Sequence, residues 1–251
     1  MPPIPVWTQP ARVQTFETDF QNRWKPTAFF QACQDVANNH SANLGYDYHS
    51  MHAAGRLWVL SRMKVYFYGF PSMGDALTVR TWPNGIRQKI FFTREFQISS
   101  PDGALYAAAT SAWLLIDANE RRMLLPDVLP GSLPQNSDLP GLDEILMKIS
   151  PGNGLAEKFT VDAGYSAVDV LGHVNNAVYI DWVMDCFSFE HFEQHQLSWL
   201  QINFNNEIRA GENVRIFAGA NVNDPSRWLV TGEKTGSGEK AFEAELAWVA
   251  R

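Results

Sequence analysis

Cysteine is scarce. Only Cys33 and Cys186 occur in 251 residues. Two cysteines are too few for a disulfide framework in a chain this long, and they point to a reducing, cytoplasmic setting. Positive charge is also in the minority, with 20 Lys and Arg against 27 Asp and Glu and a net charge of −7. Nucleic-acid binding needs a dominant basic surface, so that class of partner is excluded, while a local basic patch for an acidic partner is not. Long apolar runs are missing. The longest candidate, Ala107–Ile116, falls far short of the ~20 residues that a membrane-spanning helix needs. The stretch Met1–Arg12 holds four prolines and no apolar core of the kind a signal peptide carries. The expectation is a soluble chain with no membrane span. His40, His49, His52, His191 and His195 show no metal-ligand spacing, and there is no Gly-rich phosphate loop, so neither a metal nor a cofactor is expected.

Large apolar side chains are plentiful, with 9 Trp and 16 Phe, which suits big apolar interiors or an apolar ligand site. Between Pro126 and Gly154 the chain turns rich in proline and glycine (Pro126, Pro130, Pro134, Pro140 and Pro151 among them) and reads as a linker, with one short helix around Leu142–Ile149. It separates a domain over 1–125 from one over 155–251. In the first, a strand near Val13–Phe20 precedes a helix that opens at Lys25-Pro26-Thr27 and stops at Gly45. Strands follow at Leu57–Tyr68, Ala76–Trp82, Lys89–Ser99 and Leu105–Ile116. The second domain repeats that order. A strand near Ala156–Val161 and a helix over about Asn175–Phe189 precede strands at Leu197–Ile208, Val214–Ala220, Trp228–Lys234 and Ala241–Val249. Met63, Gly74-Asp75 and Trp113 are answered by Ile202, Gly211-Glu212 and Trp248, the mark of a duplicated domain rather than a solenoid. The second helix is apolar nearly all round and is expected to be buried. A long buried helix followed by antiparallel strands predicts an α+β fold of two tandem hotdog domains, each an antiparallel sheet wrapped around its helix.

The strongest local signal is Asp169-Val170-Leu171-Gly172-His173-Val174-Asn175-Asn176, where a loop feeds the second helix. A helix N-terminus presents unpaired N–H groups and a positive dipole end, suited to a developing oxyanion. Asp169 is placed to act as base or nucleophile beside it, and His173 to shuttle a proton near neutral pH. Asn175 and Asn176 would cap the helix or donate to substrate. The first domain has Asn22-Arg23-Trp24-Lys25-Pro26-Thr27 at its helix start, with no Asp/His pair.

The string Gly172-His173-Val174-Asn175-Asn176-x-x-Tyr179 resembles the helix-start motif of hotdog thioesterases. More narrowly, the chain resembles plant and bacterial acyl-acyl-carrier-protein thioesterases from about Thr15 to Trp248. Trp58-Val59-x-x-Arg62-Met63, Gly74-Asp75, the Arg-rich strand Ile86–Arg94 and Ala109-Thr110-Ser111-Ala112-Trp113 carry the likeness in family order. The resemblance implies hydrolysis of a fatty acyl thioester, with Asp169, His173 and Glu207 as the catalytic set. It departs at Leu171, where plant members carry Asn, and at Ile208, where they often carry Cys. The same fold also houses acyl-coenzyme A thioesterases, dehydratases and non-catalytic acyl-binding modules.

The first domain is then expected to take the acyl chain, with Trp58, Phe29 and Phe30 lining its pocket. Acyl carrier proteins are acidic, and Arg62, Lys64, Arg80, Arg87, Lys89 and Arg94 on its strands are the candidates for docking one. A homodimer is compatible with the sequence.

Overall fold

Pro26 opens the first helix, α1 (Pro26–Asn43), at a position where a missing N–H costs no hydrogen bond. In the computed structural model, which describes residues 3–136, 138–142, 144–150, 152, 154–222 and 224–251, α1 buries Phe29, Phe30, Cys33, Val36, Ala37 and His40 along one side. Leu44 caps its C-terminus and Gly45 follows at φ +84°, as expected.

The chain divides into two units, Met1–Leu146 and Met147–Arg251. In the first, β1 (Trp7–Arg12), β2 (Arg56–Phe67), β3 (Ala76–Arg87), β4 (Phe91–Ser99) and β5 (Leu105–Asp117) pair antiparallel in the order β1-β3-β4-β5-β2. The short β6 (Met123–Leu124) lies beside β5. The helix α1 packs against β3 and β1. In the second unit, β7 (Ala156–Asp162), β8 (His195–Phe204), β9 (Asn213–Asn221), β10 (Asp224–Lys234) and β11 (Lys240–Ala250) pair antiparallel in the order β7-β9-β10-β11-β8. The two orders are the same order. Each unit is a sheet laid on a buried helix, the hotdog arrangement.

The duplication extends to single hydrogen bonds. Val13 donates its N–H to the Asp75 carbonyl at 3.0 Å and accepts from Gly74 at 3.0 Å; Ala163 does the same with Glu212 at 2.9 Å and Gly211 at 2.8 Å. The residues that mark the repeat in the sequence therefore make the same turn in both units.

Four expectations need correction. The stretch Val13–Phe20 is not a strand: β1 lies earlier, and a 3-10 turn at Thr15–Glu17 follows it. The strand expected to reach Ile208 ends at Phe204. The second buried helix is short, because α3 (Val178–Met184) stops at Asp185 and Ser188 starts a new helix, α4 (Phe189–Gln194), its Oγ accepting the His191 N–H at 3.2 Å. No helix forms at the described residues of Leu142–Ile149. Their backbone is claimed elsewhere: Leu142 donates to Glu95 Oε2 at 3.0 Å, the Leu146 carbonyl accepts from Arg62, and the Met147 carbonyl accepts from Gln201 at 2.8 Å. Pro151 lies outside the described residues. Helix α2 (Tyr48–Ala53), capped by the Asp47 carboxylate on Ser50 N–H, was not anticipated.

Candidate active site

The loop before α3 is folded by its own side chains. Asp169 donates its N–H to the His173 carbonyl at 2.9 Å, and its carbonyl accepts from Gly172 at 2.9 Å. Gly172 sits at φ +76°, a conformation that costs glycine little. The carboxylate is oriented from both sides: Oδ1 accepts the Leu171 N–H at 2.9 Å and Oδ2 accepts from Asn175 Nδ2 at 3.3 Å. Asn175 is not the cap of α3, since Ala177 holds that position. Its Oδ1 instead accepts the Ala177 N–H at 2.9 Å in the preceding turn, with Asn176 half-buried beside it.

A second segment closes on this loop. The Val174 N–H donates to the Ile208 carbonyl at 2.8 Å, and His173 bridges Arg209. The neighbours of these partners are thereby brought together, and His173 Nε2 lies 3.2 Å from Glu207 Oε2. Glu207 is in the turn after β8, not on the strand itself. The two side chains are 21% and 37% exposed. Even as an ion pair, which requires a protonated imidazole, a contact that open to water is worth at most about 1 kcal/mol to stability, so the pair is better suited to meeting a ligand than to holding the fold. Glu212 braces the turn by accepting the Arg209 N–H at 2.6 Å. That bond, with Lys234 alongside, holds its carboxyl below the usual range.

Tyr179 lies under the site on α3. Its ring is 3% exposed and stands edge-on to Phe204 and Phe242 at 5.4 and 5.3 Å. Phe242 reaches it because Gly232 on the neighbouring strand has no side chain: a Cβ there would collide with the Phe242 ring. Burial above all, with Asp169 and Glu212 nearby, raises the phenol well above its ordinary pKa, so it stays protonated.

The first unit contains the same loop with different chemistry. Asp19 repeats Asp169: its N–H donates to the Arg23 carbonyl at 2.8 Å, and its Oδ1 accepts the Gln21 N–H at 2.9 Å. Asn22, at φ +58°, stands for Gly172. Arg23 stands for His173 and pairs with Asp19 at 2.9 Å. Trp24 donates to the Pro71 carbonyl at 2.8 Å as Val174 does to Ile208, which puts Phe70 where the second unit has Glu207. Asp19 escapes a comparison of the two helix starts because it lies in the turn ahead of Asn22.

The expected pocket residues lie inside the first unit. Phe29 and Phe30 are buried, Phe29 packing on Trp24, Phe67 and Phe70. Trp58 is half-buried against Phe92 at 4.8 Å, among Tyr46, Met51, Leu115 and Leu129.

The expected docking cations separate into two kinds. Arg62 is buried, bonded to the Leu146 carbonyl and stacked on Phe91 at 4.7 Å, so it is an interior residue. Arg94 donates to His40 Nδ1 at 2.9 Å and to Thr81 at 3.2 Å, and burial lowers its pKa to about 10. Neither fits a docking surface, because each would have to give up partners inside the fold to reach one. Lys64 is paired with Glu144 at 2.7 Å, and Arg80 lies over Trp82 at 5.6 Å. Arg87 and Lys89, at the β3–β4 turn, are exposed. Among the described residues no group of three or more His, Cys, Asp or Glu is placed to hold a metal ion, and no helix is long and apolar enough to cross a membrane.

Comparison with known proteins finds relatives along most of the chain. Residues 6–129 match the acyl-ACP thioesterase N-terminal domain and residues 154–249 the C-terminal domain. A palmitoyl-acyl carrier protein thioesterase of Gossypium hirsutum is 27% identical over 221 residues, 80% of this chain and 52% of that protein. An oleoyl-acyl carrier protein thioesterase of Arabidopsis thaliana is 24% identical, over 86% of this chain and 68% of that one. The chain thus spans about half the length of the first of these relatives. In fold it is similar to an acyl-ACP thioesterase of Bacteroides thetaiotaomicron (TM-score 0.88, 24% identity, 97% of this chain and 98% of that one). It is also similar to a 12:0-ACP thioesterase of Umbellularia californica (TM-score 0.78, 18% identity, 98% of each chain). With both family domains matched in order over most of its length, the chain belongs to the acyl-ACP thioesterase family.

Proposed function

We propose that this protein hydrolyses fatty acyl-acyl carrier protein, releasing the free fatty acid and ending chain elongation. The observation that carries the reading is the 3.2 Å approach of His173 to Glu207, with His173 on the same turn as the doubly hydrogen-bonded Asp169 carboxylate. Asp169 and His173 share one turn, and Glu207 reaches His173 from the segment after β8.

Water, deprotonated by Asp169 with His173 and Glu207 in support, adds to the thioester carbonyl carbon. The C–S bond then breaks, and the leaving phosphopantetheine sulfur takes up the proton. Direct attack by Asp169, giving an anhydride that water opens, uses the same groups. Asn176 is the candidate donor to the carbonyl oxygen, since the Asn175 amide is turned to Asp169. The acyl chain is assigned to the first unit, with Phe29, Phe30 and Trp58 in its apolar interior. Cys33 and Cys186 are both free, as a reducing cytoplasm would keep them.

The test is a panel of acyl-carrier-protein and acyl-coenzyme A thioesters with free thiol as the readout. Thiol release from the carrier-protein substrates, graded by chain length, is expected. Faster turnover of the coenzyme A esters would transfer the reading to that substrate class. Binding without thiol release would make the protein an acyl-binding module.

A further inference from the structure

We infer that the first unit holds a carboxylate site: Arg94, anchored by His40 and Thr81, takes the carboxylate of a fatty chain whose hydrocarbon lies along Trp113, Phe92 and Trp58. The site does not depend on the hydrolytic reading, since it is tested by binding.

Strand β4 runs between β3 and β5, and Arg94 stands opposite Pro83 on one and Ser111 on the other. Its side chain is turned to α1: Nη1 donates to His40 Nδ1 at 2.9 Å and to Thr81 Oγ1 at 3.2 Å. Both acceptors are set from behind. His40 bonds the Ile4 carbonyl through Nε2 at 2.7 Å, and the Thr81 hydroxyl donates to the Glu95 carbonyl at 2.9 Å. The Nη1 hydrogens are thereby spent, while Nε–H and the Nη2 hydrogens have no partner among the described residues. Glu95 is next in sequence but points to the opposite face of the sheet, where it is committed to Thr110 at 2.6 Å and to the Leu142 N–H at 3.0 Å. Arg94 lies deep enough for burial to lower its pKa to about 10, yet it is only half-buried, and neither open nitrogen is sealed off by protein. A guanidinium drawn out of water with no counter-charge is costly until an anion meets it.

The open nitrogens define the anion. Nε–H and Nη2–H form the side-on fork of arginine, two near-parallel donors that match a carboxylate. Arg23 in the same unit turns these two nitrogens on the Asp19 carboxylate, at 3.0 and 2.9 Å. The surroundings define the rest of the ligand. Two residues from Arg94 on the same face of β4 stands Phe92, with Trp113 opposite it on β5 and Trp58 edge-on to it at 4.8 Å. Trp113 and Trp58 are half-buried, and the Trp113 Nε1–H is tied to Ser111 Oγ at 2.7 Å, so the rings offer carbon rather than donors along this run. Leu115 and Met51 complete the apolar cluster. One charged fork at the end of an apolar run suits a fatty acid and not a sugar or a phosphate ester. Two sources carry that chemistry: the free fatty acid, and an acyl chain with a second carboxylate at its far end.

Decanoate is the probe, and decanol is the same chain without the charge. Titrated against the full chain by tryptophan fluorescence, decanoate should bind on the order of tenfold or more tighter than decanol, the worth of a charge-assisted hydrogen-bond pair. Arg94→Gln keeps a donor for His40 and should lose that preference while holding its affinity for decanol. The Arg94 Nε–H resonance of the wild type should shift with decanoate and stay still with decanol, a reading that needs no variant to fold. Two arms separate the sources. Inhibition of decanoyl-carrier-protein turnover by decanoate but not by decanol assigns the site to the free fatty acid. Faster turnover of the ω-carboxylated chain than of the plain one, lost in Arg94→Gln, assigns it to the substrate. His173→Ala should bind decanoate as the wild type does, so a failed catalytic assignment leaves this site standing. Equal affinity for decanoate and decanol, or an Nε–H resonance that decanoate does not move, would show that no carboxylate reaches Arg94.

Discussion

Asp19 stands in the first unit where Asp169 stands in the second, and the two carboxylates accept the same main-chain hydrogen bond at 2.9 Å, from Gln21 and from Leu171. What differs is the next side chain. Arg23 neutralises Asp19 with an ion pair at 2.9 Å, whereas His173 turns to Glu207. Asp19→Asn should therefore cost stability, roughly 1–3 kcal/mol for a charged hydrogen bond, and leave kcat alone. Asp169→Asn should leave the fold intact and lower kcat by about 10²–10⁴-fold, the usual worth of one acid–base group. Thermal unfolding and steady-state kinetics on both variants check the pair. A folded Asp169→Asn protein with wild-type kcat would remove the site from this loop.

Neither cysteine is placed for chemistry. Ile208 puts no thiol next to Glu207, and Cys33 is buried on α1 with its thiol pushed far up by burial. Cys186, in the turn after α3, is pushed up to about 12 for the same reason and donates to the Trp182 carbonyl at 3.4 Å. Thiolate is scarce at neutral pH under these conditions. The Cys33→Ala, Cys186→Ala double variant should keep kcat while losing about 1–3 kcal/mol of stability from packing. Abolished turnover in a folded double variant would overturn carboxylate-based chemistry.

Acid should destabilise the first unit through His40. This residue is wholly buried on α1, donates Nε2–H to the Ile4 carbonyl at 2.7 Å and accepts from Arg94 at Nδ1. Burial lowers its pKa from 6.5 to about 4, with Arg94 adding to the effect and the Ile4 bond opposing it. Since the folded pKa lies below the unfolded one, the unfolded chain binds the proton first. Stability is full above pH 6.5 and falls as pH drops from 6.5 toward about 4, by up to about 3 kcal/mol. His40→Gln keeps a donor for Ile4 and cannot titrate. Its melting temperature should be lower at pH 7 yet flatter across that window, and a parallel pH dependence in both proteins would assign the acid sensitivity elsewhere.

The sequence was most legible where chemistry and structure are local. Pro26, the spacing of Phe29, Cys33, Val36 and His40, and Gly45 delimit α1 almost to the residue. Asp169 and His173 stand out because one turn carries both. Glu207 is different, since it reaches His173 through the pairing of Val174 with Ile208 and of His173 with Arg209, and in the sequence the family resemblance alone points to it. The end of the helix after Ala177 is not legible because apolar residues run on to Phe187 and hide the restart at Ser188. A cation on a strand, as Arg62 and Arg94 are, reads as surface until its distant partners, Leu146 and His40, are known.

Those two arginines also sharpen the expectation for carrier-protein docking. With Arg62 and Arg94 inside the first unit, the exposed cations of the original group are Arg87 and Lys89 at the β3–β4 turn, where Gln88 and Lys89 take φ +49° and +67° and hold the turn in a left-handed conformation. An acidic carrier protein would meet charge there without desolvating it fully, so the contribution should appear in association and be screened by salt. Arg87→Glu with Lys89→Glu should raise KM for acyl-carrier protein several-fold with kcat nearly constant. Added salt should raise KM of the wild type toward the variant's value and change the variant little. Turnover of an acyl-coenzyme A ester, which brings no carrier protein, should respond much less. Arg94→Ala should behave oppositely: it removes the donor to His40 Nδ1 and Thr81, so its melting temperature should fall. Its KM, compared at a temperature where it stays folded, should not follow salt any differently from wild type. If KM for carrier protein is indifferent both to salt and to the Arg87, Lys89 reversal, docking uses another surface of the chain.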